Sequence, residues 1–293
     1  MKSKIATRIT FGAIMIAILG GLLYLDWWLQ SQEALPAYCK FLPTVVVLAA
    51  IVALGFRELR RLALGSECNL LSWSGTIGAV LLAVGTYLAV QLYDVGPSRL
   101  VLLAGQPAML PVLVLMAIFL EQMIRFRTAN ALRNVAATML AVAYLGLCGS
   151  LILHIRMIWG VPELVLFLAA VKCTDIGAYF TGTAIGRHKL IPWLSPGKSW
   201  EGLFGGLITA AGVSMLACRL MHIPLALHEA AAFGVVVGLA GQFGDLCESL
   251  LKRSAQIKDS GSVVPEFGGV LDIIDSPLLA APVAVILLTA MLN

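Results

Sequence analysis

The sequence predicts an all-α integral membrane protein of about nine transmembrane helices, with its N-terminus in the cytoplasm and its C-terminus outside. Three observations predict it. Hydrophobic residues make up 60% of the 293 and charged residues 12%, half the ~25% of a soluble domain. Long apolar runs recur near the ~20 residues that a bilayer-crossing helix requires. The basic residues fall on alternate connections between those runs. This composition excludes a water-soluble globular protein, a disordered chain and a free nucleic-acid binder. The runs are also too long for the short alternating strands of an outer-membrane barrel. Six cysteines (Cys39, Cys68, Cys148, Cys173, Cys218 and Cys247) are scattered, with no CxxC and no Cys/His cluster. Neither a disulfide scaffold nor a zinc site is implied.

The first run, about 9–26, lacks a small-residue cleavage site and is read as a retained helix. Trp27 and Trp28 close it, where interfacial aromatics are expected. Runs at about 41–57 and 73–93 follow, then 106–124, which Pro111 interrupts, and 134–154. The sixth, 161–183, encloses Lys172 and Asp175; the last three lie at about 203–221, 226–246 and 274–292. In this frame one set of connections holds Lys2, Lys4 and Arg8; Arg57, Arg60 and Arg61; Arg125, Arg127 and Arg133; Arg187, Lys189 and Lys198; and Lys252, Arg253 and Lys258. That is 15 of the 20 basic residues, against Lys40, Arg99, Arg156 and Arg219 on the opposite side. The 15-to-4 split sets the orientation, and a miscounted run would have scrambled it.

The two parts of the chain differ in chemistry. Residues 1–160 read as scaffold helices, with a lipid-facing groove as the other use such helices can have. Their acids (Asp26, Glu33, Glu58, Glu67, Asp94 and Glu121) sit near run ends or in connections. Residues 161–293 read as a catalytic transmembrane domain with cytoplasmic loops at 184–202 and 247–270. Between 172 and 276 lie nine of the sixteen acids. An ionisable group at membrane depth is costly and faces a polar cavity or a partner, so any chemistry here faces the cytoplasm.

Three constellations stand out. Lys172, Asp175 and Tyr179 are spaced by three and four, on one helical face; they suit either a satisfied Lys–Asp pair or the wall of a polar cavity. The loop GRHKLIPWLSPGKSWEG, 186–202, sets Arg187, His188, Lys189 and Lys198 among Ser195, Pro196, Gly197 and Ser199. Cations and hydroxyls on a Pro/Gly-shaped loop suit a phosphate-rich ligand, and they also suit an ordinary positive-inside loop. The GxxxxGK[ST] phosphate loop is absent. In residues 244–276, Asp245, Glu248, Ser249 and Lys252 share a helical face, followed by Arg253, Lys258, Asp259, Gly268-Gly269 and the pair Asp272 and Asp275. Three aspartates at a membrane edge are good hard-cation ligands, and Mg²⁺ is held by one or two carboxylates plus substrate phosphates. Carboxylates and cations on one face therefore point to a metal and a polyphosphate. Solvated loop charges or an ion-coupling site would use the same residue types.

Residues 244–276 resemble the signature of the phosphatidate cytidylyltransferase, or CDP-diacylglycerol synthase, family. The resemblance runs through Ser249, Lys252-Arg253, Lys258-Asp259, Pro265, Gly268-Gly269, Asp272 and Asp275-Ser276, with every spacing kept. Upstream, Asp175, Gly177-Ala178-Tyr179, His188-Lys189-Leu190 and Ser195-Pro196-Gly197-Lys198-Ser199-Trp200-Glu201-Gly202 are similar too. The motifs cover about the last 120 residues; the first half is similar only in being helical. The sequence departs at Glu266-Phe267, where the family has Gly-His, at Ile273, where it has Arg, and at Ile176, where it has a small polar residue.

The resemblance implies a membrane enzyme that transfers the cytidylyl group of CTP to phosphatidic acid, releasing pyrophosphate and leaving CDP-diacylglycerol in the bilayer. It implies Mg²⁺ with K⁺ nearby and a homodimer; the division of basic residues puts the site on the cytoplasmic side, and the compactness of the chain suggests a bacterial plasma membrane. Asp245 and Asp272 are then metal ligands with Asp275 beside them. Lys252 and Arg253 act at the reacting phosphates, and Lys198 and Lys258 bind them. Ser195 and Ser199 reach the nucleotide, while Lys172, Asp175, Tyr179, Lys189 and Asp259 complete the substrate contacts. The rival readings are a paralogue acting on another lipid phosphate or a lipid alcohol, and a cation-coupled transporter. The SPGKS loop separates the last, since a transporter has no need of it; inverted repeats, common in transporters, are also absent from the sequence.

Overall fold

The computed structural model describes residues 2–32, 35–36, 39–65, 68–94, 109–257, 261 and 268–292. Among them it is helical almost throughout. The helices are α1 (Lys2–Ser31), α2 (Leu42–Gly65), α3 (Ser72–Asp94), α4 (Met109–Arg125), α5 (Ala131–Val142), α6 (Cys148–Ile158), α7 (Val161–Ile185), α8 (Trp200–Leu220), α9 (Leu227–Ser254) and α10 (Leu271–Leu292). Seven stretches of described helix are long and apolar enough to cross a membrane, one being the continuous span Ala131–Ile158 made of α5, a π-helical turn (Ala143–Leu147) and α6. The two other predicted spans are also helices: α1, and α4 with 17 residues. The chain is an all-α integral membrane protein. The predicted run 226–246 falls short, because α9 continues to Ser254 and carries Glu248, Lys252 and Arg253 on helix. The predicted loop 184–202 holds a short antiparallel hairpin, β1 (Lys189–Ile191) with β2 (Ser195–Ser199), in which Lys189 faces Ser199 and Ile191 faces Ser195.

The chain forms two compact units. One comprises Met1–Met157 with Asp259–Ile273, the other Ile158–Lys258 with Ile274–Asn293.

In the first unit Val52, Phe56, Ile118, Leu145, Leu153 and Ile155 are fully buried. The π-helical turn lets Gly146 lie against α3, where a Cβ would meet the Ala79 carbonyl at 2.8 Å. Glu121 and Asp26 of this unit are structural partners. Glu121 of α4 accepts hydrogen bonds from the Ser74 N–H and hydroxyl, both at 2.7 Å, which caps the start of α3, and it pairs with Arg125 at 3.2 Å. Asn134 accepts from the Asn69 N–H at 3.1 Å and donates to Gln122 at 3.1 Å; Gln122 in turn donates to the carbonyl of Ala129 at 2.9 Å. Asp26 and Arg156 are both completely buried and meet at 2.5 Å. Arg156 also donates to Gln30 at 3.1 Å and lies 5.2 Å from the centre of the Phe41 ring. Removing one member of such a pair strands the other charge, at a cost of about 3–5 kcal/mol. Arg156→Met is accordingly expected to lower the midpoint of thermal unfolding in detergent sharply. The double variant Asp26→Asn with Arg156→Met should recover most of the loss, and an undiminished midpoint in the single variant would refute the pairing.

In the second unit the helices are held together by backbone-to-backbone approach. A Cβ on Gly206 of α8 would meet the Thr174 carbonyl of α7 at 2.6 Å, and one on Gly234 of α9 would meet the Ala210 carbonyl of α8 at 2.5 Å. Small residues at crossing points are how membrane helices pack closely when hydrophobic collapse offers little drive. The effect here is to hold α7 and α9 against α8, so that Gln242 of α9 reaches Asp175 of α7.

Candidate functional site

The hairpin is placed first. Glu201, in the first turn of α8, accepts from the N–H groups of Arg187 and His188, each at 3.2 Å, and meets His188 Nδ1 at 2.6 Å. The Trp200 N–H closes on the His188 carbonyl at 2.9 Å. Ser199 is the N-cap of α8, its buried hydroxyl accepting from the Gly202 N–H at 3.1 Å. Arg253, at the end of α9, donates to the Leu194 carbonyl in the hairpin turn at 3.4 Å. Ser195 opens β2, and Lys189 is exposed on β1. These contacts fix the strand that carries Lys198.

Lys198 is only 17% exposed and ion-pairs with Asp245 at 2.6 Å. It also donates to Gln242 Oε1 at 2.9 Å. The Gln242 amide, one turn before Asp245 on α9, donates onward to Asp175 of α7 at 2.7 Å. Lys172 approaches the other oxygen of Asp175 at 3.9 Å. One polar chain thus runs Lys172, Asp175, Gln242, Lys198, Asp245. Tyr179, predicted beside them, is exposed at 61% and stacks edge-on with Phe180 at 5.7 Å.

Asp245, Glu248 and Asp275 each bring one carboxylate oxygen within 4.8 Å of the others. Gly244 makes this approach possible: a Cβ there would meet the Asp275 carbonyl at 2.7 Å, so α9 and α10 touch backbone to backbone beside the carboxylates. Lys252 pairs with Glu248 at 2.6 Å, one turn along α9. Asp275 Oδ1 accepts from the N–H of Ser276 at 2.6 Å and from its hydroxyl at 3.2 Å. Three carboxylates this close repel one another unless cations neutralise them. Two lysines do so in part, and hard oxygen donors in this number suit Mg²⁺. The donor set fits the metal that the sequence implied.

Asp272 lies in the first unit, where Oδ2 accepts from the Gly269 N–H at 2.6 Å across the start of α10. Lys258 and Asp259 lie outside the described residues, as do Pro265 and Glu266-Phe267. Two members of the site escaped the sequence reading. Gln242 offered only the signal of an amide three residues before Asp245 in an otherwise apolar helix. Glu248 was visible on the Asp245 face but was not placed among the ligands.

Beside the polar chain lies an apolar cleft of about 590 Å³, walled by Ile191 of the hairpin, Trp200 and Leu203 of α8, Phe243 of α9 and Val283 of α10. Gln242 belongs to both the cleft and the polar chain.

The model of the cytidylyltransferase family matches residues 6–291. The chain is 30% identical over 243 residues to a phosphatidate cytidylyltransferase of Bacillus subtilis, covering 82% of this chain and 87% of that one. It is 42% identical over 134 residues to the uncharacterized protein YnbB of Escherichia coli, covering 45% of each. It is 36% identical over 155 residues to a phosphatidate cytidylyltransferase of Staphylococcus saprophyticus, covering 53% of this chain and 59% of that one.

Proposed function

The chain belongs to the cytidylyltransferase family, and on that premise we propose how its residues transfer the cytidylyl group of CTP to phosphatidic acid. An oxygen of the lipid phosphate attacks the α-phosphorus of CTP, a new P–O–P linkage forms, and the bond to the β-phosphate breaks with its electrons on the departing pyrophosphate. CDP-diacylglycerol remains in the bilayer. The lipid phosphate is already anionic near neutral pH, so no side chain has to remove a proton.

The observation that carries this reading is the meeting of Lys198 with Asp245 beside Glu248 and Asp275. It puts a phosphate-binding cation and a hard-metal donor set on the same few ångströms of α9 and β2. Asp245, Glu248 and Asp275 would hold Mg²⁺, with Asp272 kept as a ligand candidate on its signature position. Bound there, the metal supplies positive charge against the phosphates as the leaving group departs. Lys198, Lys252 and Arg253 bind phosphate oxygens, with Lys258 and Lys189 at the approach. Gln242 holds Lys198 in the direction of the nucleotide, and Lys172 and Asp175 orient Gln242 from its far side. Ser195 is left to reach the nucleotide, because the Ser199 hydroxyl is engaged in capping α8. The acyl chains of the lipid lie in the cleft under Trp200 and Phe243, which brings the headgroup to Gln242.

The 15-to-4 division of basic residues supports a site on the cytoplasmic side of a bacterial plasma membrane, and the family resemblance supports a homodimer. Detergent-purified protein is expected to release pyrophosphate only when CTP, Mg²⁺ and phosphatidic acid are all present. Release without lipid, or none from folded protein that still binds CTP, would overturn the choice of acceptor; failure to bind CTP would overturn the enzyme reading.

A further inference from the structure

Glu58 sits in α2, in the half of the chain that reads as scaffold, and only 3% of it is exposed. One carboxylate oxygen accepts from the Val270 N–H at 2.9 Å and the other from the Leu271 N–H at 2.8 Å, more than two hundred residues away in sequence. These are N–H groups at the start of α10, which have no partner within their own helix. A carboxylate at that position also complements the positive end of the helix. A second observation places the same carboxylate beside Gly261. A Cβ on Gly261 would meet Glu58 Oε1 at 2.9 Å and Gly269 Cα at 3.3 Å. Glu58 therefore bonds to the start of α10 and lies close against Gly261.

We propose that Glu58 is a positioning residue for the start of α10: by accepting from the N–H groups of its first turn, it holds the helical backbone that carries Asp272 and, one turn on, Asp275. The inference rests on the reading of Asp275 as a metal ligand. Both oxygens of Glu58 are needed, since each serves a different N–H. Glutamine at this position offers one acceptor and turns an NH₂ toward a backbone donor, so one bond must be lost. Aspartate keeps both acceptors on a shorter stem.

The test is Mn²⁺ binding, titrated by electron paramagnetic resonance on the full-length detergent-purified protein without CTP or lipid. Partners that orient metal ligands cost on the order of 10–100-fold in metal affinity when removed. Glu58→Gln is expected to raise the Kd for Mn²⁺ by about tenfold, with Glu58→Asp recovering part of it. Faster amide hydrogen exchange in the peptide beginning at Gly268 should accompany the weaker binding. A purely structural role would lower the unfolding midpoint and leave the Kd of the folded fraction unchanged. Folded Glu58→Gln with wild-type Kd overturns the inference. If Glu58→Gln does not fold, Glu58→Asp is judged by the same criterion, a raised Kd supporting and an unchanged one overturning. Asp275→Asn serves as the control. Wild-type protein that binds no Mn²⁺, or whose binding survives Asp275→Asn, overturns the metal reading and this inference with it. Binding lost in Asp275→Asn but intact in Glu58→Gln overturns the inference alone.

Discussion

Asp275→Asn is expected to lower kcat for pyrophosphate release by about 10³-fold while leaving the protein folded. The substitution keeps the shape of the side chain. It also keeps an oxygen to accept from the Ser276 N–H, now at 2.6 Å, so the α10 backbone has little reason to move. What goes is one negative charge from a set of three whose oxygens lie within 4.8 Å. A bound metal contributes several kcal/mol to charge stabilisation in such reactions, and about 4 kcal/mol corresponds to the stated factor. Excess Mg²⁺ should restore little of kcat, because loss of a ligand changes how the ion is held as well as how tightly. An Asp275→Asn protein with near wild-type kcat, eluting normally by size exclusion, would remove Asp275 from the site.

The second large effect is expected at Lys198. In the structure its ammonium is bound to Asp245 at 2.6 Å and Gln242 at 2.9 Å, so a phosphate arriving at the site finds the cation already in place. Lys198→Met removes that charge and leaves Asp245 without its partner from the hairpin. Losing one preorganised electrostatic contact costs roughly 10²–10³ in rate. Here the loss is expected in kcat/KM for CTP, with KM raised. Lys198→Arg should recover only part, because a planar fork cannot replace a point charge held by a carboxylate and an amide together. The check is steady-state kinetics at varied CTP and fixed lipid. An unchanged KM for CTP in Lys198→Met would place the triphosphate elsewhere.

How much of this was legible in the sequence depends on distance along the chain. The spans were readable because apolar length and the alternation of basic residues are local properties; every predicted run falls on a described helix, although α1, α2 and α9 extend beyond their runs by five to eight residues. The end of α9 was missed because Glu248, Lys252 and Arg253 are charges at the end of an apolar run; Glu248 is buried and pairs with Lys252 one turn along the same helix. The hairpin was unreadable for a different reason: Ser195–Ser199 is SPGKS, which has neither alternation nor β-branched residues; it pairs with Lys189–Ile191, in a hairpin that Glu201 holds at Arg187 and His188 and Arg253 holds at Leu194. Asp245 and Asp275 were readable because carboxylates in apolar helices stand out. The roles of Glu58, Glu121 and Asp26 were not. Each bonds to a partner 47 to 213 residues away, and no spacing rule reaches that far. Gln242 is the intermediate case: its position was visible, but only its bonds to Lys198 and Asp175 show what it does.

The buried pair of Asp26 and Arg156 has a consequence for how the protein is made. The partners are 130 residues apart, and a ribosome adds roughly 5–20 residues each second. The nascent chain therefore carries Asp26 in its first helix for on the order of ten seconds before the arginine that neutralises it is even synthesised. During that interval Asp26 lacks the partner that it has in the folded protein, and an unpaired carboxylate at membrane depth is costly. Loss of either residue is therefore expected to reduce the amount of protein recovered in the membrane fraction, read by immunoblot, more than it reduces turnover per folded molecule.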